Sequence, residues 1–476
     1  MSHKLITLIC LLVCLGNLSF SSCTVASRSD SKNTLSIRSE TGIESEHNKN
    51  AILTPPVTAE NSGILGSSKS TEFEMPKVPT VLGTIPSYQA QQNVTIKVDS
   101  KIPSLKTFKT NKLNSMGIMG EIDNTHLLYI KGDVNDVDED SNFMIPAQGY
   151  EYSPQSGILC SYNILSEKFM KIVGNQNNNQ TYIHFAIVNK NWIVWIEMSL
   201  EDSSDPQNSN KWYLYALNRK TKTVKKLKEA DFGSTINDKY SYFELKPSSM
   251  SIISDALFVT YLYPAGDKIA SCIAKIDLES SIELILDDAE DAYDCHFESC
   301  VAENNTVIWV KMHGHDSSSN SIALNRFSDI FRLNLLTNSI SQETEGKYYY
   351  QVALSQNKIY AIDAEKADND LGYITHLTEF DYQNLSTRRI IDKTPVFALS
   401  DNILYHVYVL QSNENWVGCF DGFGYPYLYH SKSDQFIDVY GDKVPQGSFF
   451  ALITSNYVFA SHPNEGGQDV YIIELG

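Results

Sequence analysis

The chain has 476 residues, a formal net charge of −19 and 11% aromatic residues. That length allows a large core, and one repetitive domain can use most of it. The acidic balance argues against a nucleic-acid partner, since phosphate binding needs a basic face, and equally against charge-driven docking on anionic lipid.

The N-terminus reads as a targeting segment. Lys4 is followed by the apolar run Leu5–Leu15, too short to span a bilayer of about 30 Å. The run ends in Leu18-Ser-Phe-Ser-Ser-Cys23. Small residues before a cysteine resemble the lipobox of bacterial lipoproteins, although Phe20 stands where that motif usually has leucine. The resemblance implies residues 1–22 as signal peptide, Cys23 as the lipidated residue, and an exported protein on the outer face of a bacterial membrane. Secretion in soluble form after cleavage at Ala26 is the alternative.

Residues 23–100 are rich in Ser, Thr, Asn, Glu and Pro and poor in aromatics, and the expectation is a disordered tether. The propeller described next is expected to occupy residues 101–476. Cys295 and Cys300 fall on one predicted strand, about 16 Å apart, beyond disulfide reach, so buried free thiols are expected.

The clearest structural unit is Tyr182–Leu227, four short strands: YIHFAIV, WIVWIEM, KWYLYAL and TVKKL. Copies of its first two strands recur at Met116–Ile130, Cys295–Met312, Tyr349–Ile362 and Phe449–Ala460, and also at Tyr242–Tyr261 and Val396–Val409. Third and fourth strands are joined by a turn with Asn or Asp at its start: Asn163, Asn218, Asp277, Asn334 and Asp381, with His430 in the sixth copy. Fourth strands such as Thr223–Leu227 are polar, as outer edges should be. The pattern predicts an all-β, seven-bladed β-propeller of four-stranded antiparallel blades, with six or eight blades as alternatives. The seventh copy ends before a fourth strand, and Ser104–Lys109 is expected to supply it and close the ring. The aromatics Trp192, Trp195, Trp212 and Tyr215 are expected to pack between blades.

Over Ser104–Gly476 this turn pattern resembles the secreted TolB-like and YVTN-like propellers. The resemblance implies fold and an extracytoplasmic setting, and no particular activity.

Variable loops after the second strands mark the functional face: Gly132–Gly157, Ser199–Asn210, His313–Ser328, Asp363–Gly372 and Gln411–Gly424. The first holds Asp136, Asp138 and Asp140, weak candidates for Ca²⁺, the sole cofactor suggested; EF-type spacing is missing, with Ser141 and Ala147 at its Gly and Glu positions. His313, His315 and Asp316 could contribute to a transition-metal site. Trp416, Phe420 and Phe423 lie in an aromatic, glycine-rich stretch that could stack on sugars or anchor a protein. Hydrolase signatures are absent. Two readings follow: a non-catalytic module binding a protein or glycan in the envelope, and a carbohydrate-active enzyme (polysaccharide lyase or glycosidase) on the same disc.

Overall fold

The computed structural model describes residues 77–91, 98–99, 106–131, 137–138, 157–177, 181–199, 211–233, 240, 243, 245–314, 327–346, 348–366, 373–391, 407–421, 426–438, 444–445, 448–464 and 467–475. Seven antiparallel four-stranded sheets follow one another round a ring, giving a seven-bladed β-propeller. Blade 1 runs Ile118–Asp123, His126–Lys131, Ile158–Asn163 and Lys168–Gly174; blade 2 runs Thr181–Val188, Trp192–Ser199, Lys211–Asn218 and Val224–Asp231. Blade 3 is Ser249–Ile253, Ala256–Ala265, Lys268–Asp277 and Glu283–Ala289; blade 4 is Cys295–Glu303, Thr306–His313, Phe327–Asn334 and Ser339–Gln342. Blade 5 is Tyr348–Ser355, Lys358–Lys366, Tyr373–Asp381 and Ser386–Ile391.

Blade 6 corrects the expected register. Its first two strands are Val407–Ser412 and Trp416–Asp421, followed by Pro426–His430 and Gln435–Asp438. The stretch expected as a loop at 411–424 is therefore mostly first and second strand. In blade 7, Phe449–Ile453, Tyr457–Asn464 and Gly467–Glu474 are completed by Thr107–Thr110, which pairs antiparallel with Val470–Ile473. The N-terminal strand closes the ring as expected.

The tight turns explain why these residues repeat. At Asn163, Asn218 and Asn334 the side-chain oxygen accepts the backbone N–H groups two and three residues on, at 2.8–3.2 Å. Asp381 does the same at 2.9–3.1 Å, and Asp277 holds the N–H of Ser280. Four residues after each starter the chain takes a left-handed conformation, at Glu167, Lys222, Ser281, Asn338 and Leu385. The sixth turn keeps the geometry with an imidazole: His430 Nδ1 accepts the N–H of Ser433 at 3.2 Å, and Asp434 is left-handed.

Alternation along each strand sends one set of side chains toward each neighbouring blade. Trp192 and Trp212 pack with Leu257, Val259 and Ile276 of blade 3. Trp195 and Tyr215 pack the other way, with Leu128, Leu159 and Ile172 of blade 1. Burying one such aromatic contributes on the order of 2–3 kcal/mol. Cys160, Cys272, Cys295 and Cys300 are all free thiols.

One feature overturns the tether boundary at residue 100. Thr80–Val81 pairs parallel with Ser339–Ile340 of blade 4, Gln89–Ala90 with Ser386–Thr387 of blade 5, and Val98–Asp99 with Phe436–Ile437 of blade 6. Together with Thr107 in blade 7, these contacts begin every nine residues. These stations form a belt on the rim at blades 4, 5, 6 and 7, and at blades 4 to 6 they cover outer edges that polar residues alone were expected to guard. Pro79, within the belt, is buried. Val137–Asp138 covers the edge of blade 1 in the same parallel manner. Among the described residues, blades 2 and 3 keep four strands and no cover.

Candidate ligand-binding cleft on blade 4

The second and third strands of blade 4 bring three cross-strand pairs to one side: His313 opposite Phe327, Lys311 opposite Asp329, and Trp309 opposite Phe331. These side chains share a face because they lie two residues apart on each strand. The rings of Trp309 and Phe331 stack with centres 5.9 Å and planes 13° apart. Those of His313 and Phe327 stack at 4.6 Å and 13°. Trp309 is wholly buried and Phe327 is 43% exposed, so the face passes from core to solvent.

Between the two stacks, Lys311 Nζ donates to Asp287 of blade 3 at 2.8 and 3.0 Å and lies over the rings of Phe297 and Phe331. Asp329 is buried and accepts the backbone N–H of Gly346 at 3.0 Å. Burial raises its pKa, against the lowering effect of that hydrogen bond. The His313 pKa is lowered, first by burial and then by the Lys311 charge, which favours a neutral imidazole at pH 7. Lys311, His313, Phe327, Asp329 and Phe331 line a cleft of about 580 Å³ with Gln342, Glu345 and Gly346.

Chemically, the cleft offers an aromatic face, a neutral imidazole, an amide and carboxylates, with its cation already paired. Such a set suits a ligand with flat apolar faces and many hydroxyls. It lies where the second-strand loop of blade 4 departs, on the face expected to carry function.

Trp416, by contrast, is 7% exposed and is the first residue of the second strand of blade 6. Its ring packs on His430 and within a cluster holding Leu428 and Val458. The expectation that it projects from a loop is corrected: Asn413 Oδ1 accepts the N–H groups of Asn415 and Trp416 and turns the chain into a strand. Phe420 falls on that strand, opposite Tyr408 and Pro426. Phe423 lies outside the described residues, as do Cys23, Asp136, Asp140, His315 and Asp316. Asp138 pairs with Met170 in the short edge strand of blade 1. Among the described residues, no three His, Cys, Asp or Glu side chains gather as a metal site.

Sequence reasoning missed three buried glutamates. Glu197 accepts from Gln176 N, Trp195 Nε1, Asn177 Nδ2 and Thr181 Oγ1 at 2.7–3.0 Å, holding the crossing from blade 1 to blade 2. Glu343 takes the Tyr88 hydroxyl of the belt and Arg332 Nε at 2.7 Å. Glu379 receives Lys358, Tyr360 and Arg388, and Arg388 continues to Asp434 and Tyr429 of blade 6. Each carboxylate is engaged by several donors and acts as a joint. The available signal was a lone Glu inside an apolar strand, as in Trp195-Ile-Glu197-Met198.

The innermost strands carry two histidines engaged close by. His184 lies 6.0 Å from the Tyr182 ring, and burial, with Lys246 nearby, lowers its pKa to about 3. His296 Nε2 is 3.2 Å from Glu298, with Phe243 edge-on to its ring.

No family model matches this chain, and no curated protein does. Solved structures do match. The β-propeller domain of the Trilobed protease from Pyrococcus furiosus is similar at 11% identity and TM-score 0.46, covering 73% of this chain and 89% of that one. An oligogalacturonate lyase from Vibrio parahaemolyticus is similar at 10% identity and TM-score 0.44, covering 82% and 99%. TolB from Acinetobacter baumannii is similar at 11% identity and TM-score 0.33, covering 67% and 64%. At such identities the likeness is one of fold.

Proposed function

We propose that the protein is an extracytoplasmic, lipid-anchored binding module that takes a glycan, without transforming it, in the cleft of blade 4. The observation that carries this reading is the stacked His313–Phe327 pair, half open to solvent above a buried carboxyl and beside a paired lysine. A second support is the use of Glu197, Glu343 and Glu379 as saturated joints between elements. The setting rests on the resemblance of Leu18–Cys23 to a lipobox, which makes Cys23 the point of membrane attachment.

Calorimetric titration of neutral and acidic oligosaccharides against the wild type and Phe327→Ala tests it. Binding weakened at least tenfold in Phe327→Ala, with the oligosaccharide recovered intact, is the expected result. Unchanged binding in the variant removes the cleft from the function, and shortened oligosaccharide makes the protein an enzyme. The address is tested separately: Cys23→Ala should move the protein from the membrane to the soluble fraction.

A further inference from the structure

The belt carries the main concentration of exposed apolar side chains on the described surface. Of the eleven exposed large hydrophobic residues among the described ones, Val78, Val81, Leu82 and Ile85 lie in the belt. Two more belong to turns that the belt touches. Leu336 sits in the turn whose Asn338 donates to Lys77 O and accepts from Thr80 N, and the Leu385 carbonyl accepts from Gln89 N. More than half of these residues therefore share one sector of the rim, at blades 4 and 5. Val78, Val81 and Leu336 are 72%, 69% and 77% exposed, well beyond the partial exposure common for single apolar surface residues. A concentration of exposed apolar side chains of this kind marks a contact surface.

We propose that this rim rests on the lipid surface to which the chain is anchored. The inference builds on the reading of Cys23 as the lipidated residue. Residues 24–76 then join the membrane to the disc at Lys77, immediately beside the patch. A covalent link of that length confines the disc to the neighbourhood of the anchor. It holds the patch near the bilayer at high effective concentration, so a weak apolar contact suffices. The surface in question is zwitterionic, because the net charge of −19 opposes anionic lipid. Contact at the rim sets the disc edge-on and leaves both faces in water, with the cleft of blade 4 accessible.

All five tryptophans are buried, so an introduced one reports alone on lipid contact. The chain from residue 24, carrying an N-terminal histidine tag, is held on nickel-chelating lipid in phosphatidylcholine vesicles with or without brominated acyl chains. Val81→Trp should lose at least a third of its added fluorescence to the brominated lipid, whereas Lys226→Trp on the outer strand of blade 2 should lose none. If Val81→Trp does not fold, Leu336→Trp serves the same purpose. Co-sedimentation without quenching at either rim position overturns the inference and leaves the patch to a protein partner. Equal quenching at position 226 overturns it too. The tag replaces the natural anchor, so failure of the Cys23 reading appears separately, as unchanged fractionation of Cys23→Ala.

Discussion

Tyr88 of the belt gives its hydroxyl to the buried carboxylate of Glu343 in blade 4 while its ring meets Phe380 of blade 5 edge-on, with centres 5.4 Å apart. One side chain therefore ties the N-terminal segment to two blades. Tyr88→Phe keeps the ring contact and strands a carboxylate acceptor, at a cost of about 1–2 kcal/mol. Tyr88→Ala also loses the ring, for about 3 kcal/mol or more. Urea denaturation of the two variants should rank them in that order. Equal effects would mean that the hydrogen bond carries the whole contribution.

Two turns staple consecutive blades by the same device. Asn189 Nδ2 donates to Ser254 O at 2.8 Å, joining blades 2 and 3, and Asn413 Nδ2 donates to Thr454 O at 2.7 Å, joining blades 6 and 7. In both, Oδ1 accepts the N–H of the tryptophan three residues on. Asn189→Ala and Asn413→Ala should each destabilise by about 1–2 kcal/mol. Because the sites are far apart in the ring, the double variant should show the sum. Chemical denaturation of the three variants checks both statements.

Glu303, in the first hairpin of blade 4, has its pKa pushed up to about 7, by burial first and by Glu414 second. A carboxyl whose folded pKa is raised adds stability below its unfolded pKa, near 4.5, and loses that contribution as pH rises through about 7. Glu303→Gln should therefore be more stable than the wild type at pH 8, by on the order of 1–3 kcal/mol. The advantage should shrink toward zero below pH 4.5. Melting temperatures of the pair from pH 4 to 8 would show the two converge at the acid end and separate as pH rises.

His430 gives the opposite sign. Its pKa is lowered, mainly by burial and then by Lys432, and Nδ1 must be unprotonated to accept the Ser433 N–H. A base with a depressed folded pKa contributes stability above its unfolded pKa, near 6.5, and loses it as pH falls through the folded value. His430→Asn restores the starter used by the other turns and should remove this acid sensitivity while leaving neutral stability within about 0.5 kcal/mol. Thermal melts at pH 7.5 and 5 test it.

The blade count was legible because the turns use one chemistry at one spacing and the inner strands are continuously apolar. Ring closure was legible from the missing fourth strand of blade 7. Blade 6 was misread because Asn413-Glu-Asn415-Trp416 looks like loop sequence, yet it repeats Asn189-Lys-Asn191-Trp192 of blade 2. The belt left no periodic signal: stations of two residues are too short for alternation, and their Ser, Thr and Gln surroundings match a disordered leader. The cleft was only half visible. His313 was marked as a metal candidate, but its partner Phe327 is brought beside it by strand pairing, which no linear spacing reveals.

The belt also bears on the order of events during synthesis. Thr80–Val81, Gln89–Ala90 and Val98–Asp99 leave the ribosome before the strands they pair with, which are more than 250 residues further along the chain at blade 4. A segment made before the blades is thus placed after the strands it covers. Until it seats, three outer edges stand open to pairing with other chains, so the topology leaves its last joining step the one most exposed to aggregation.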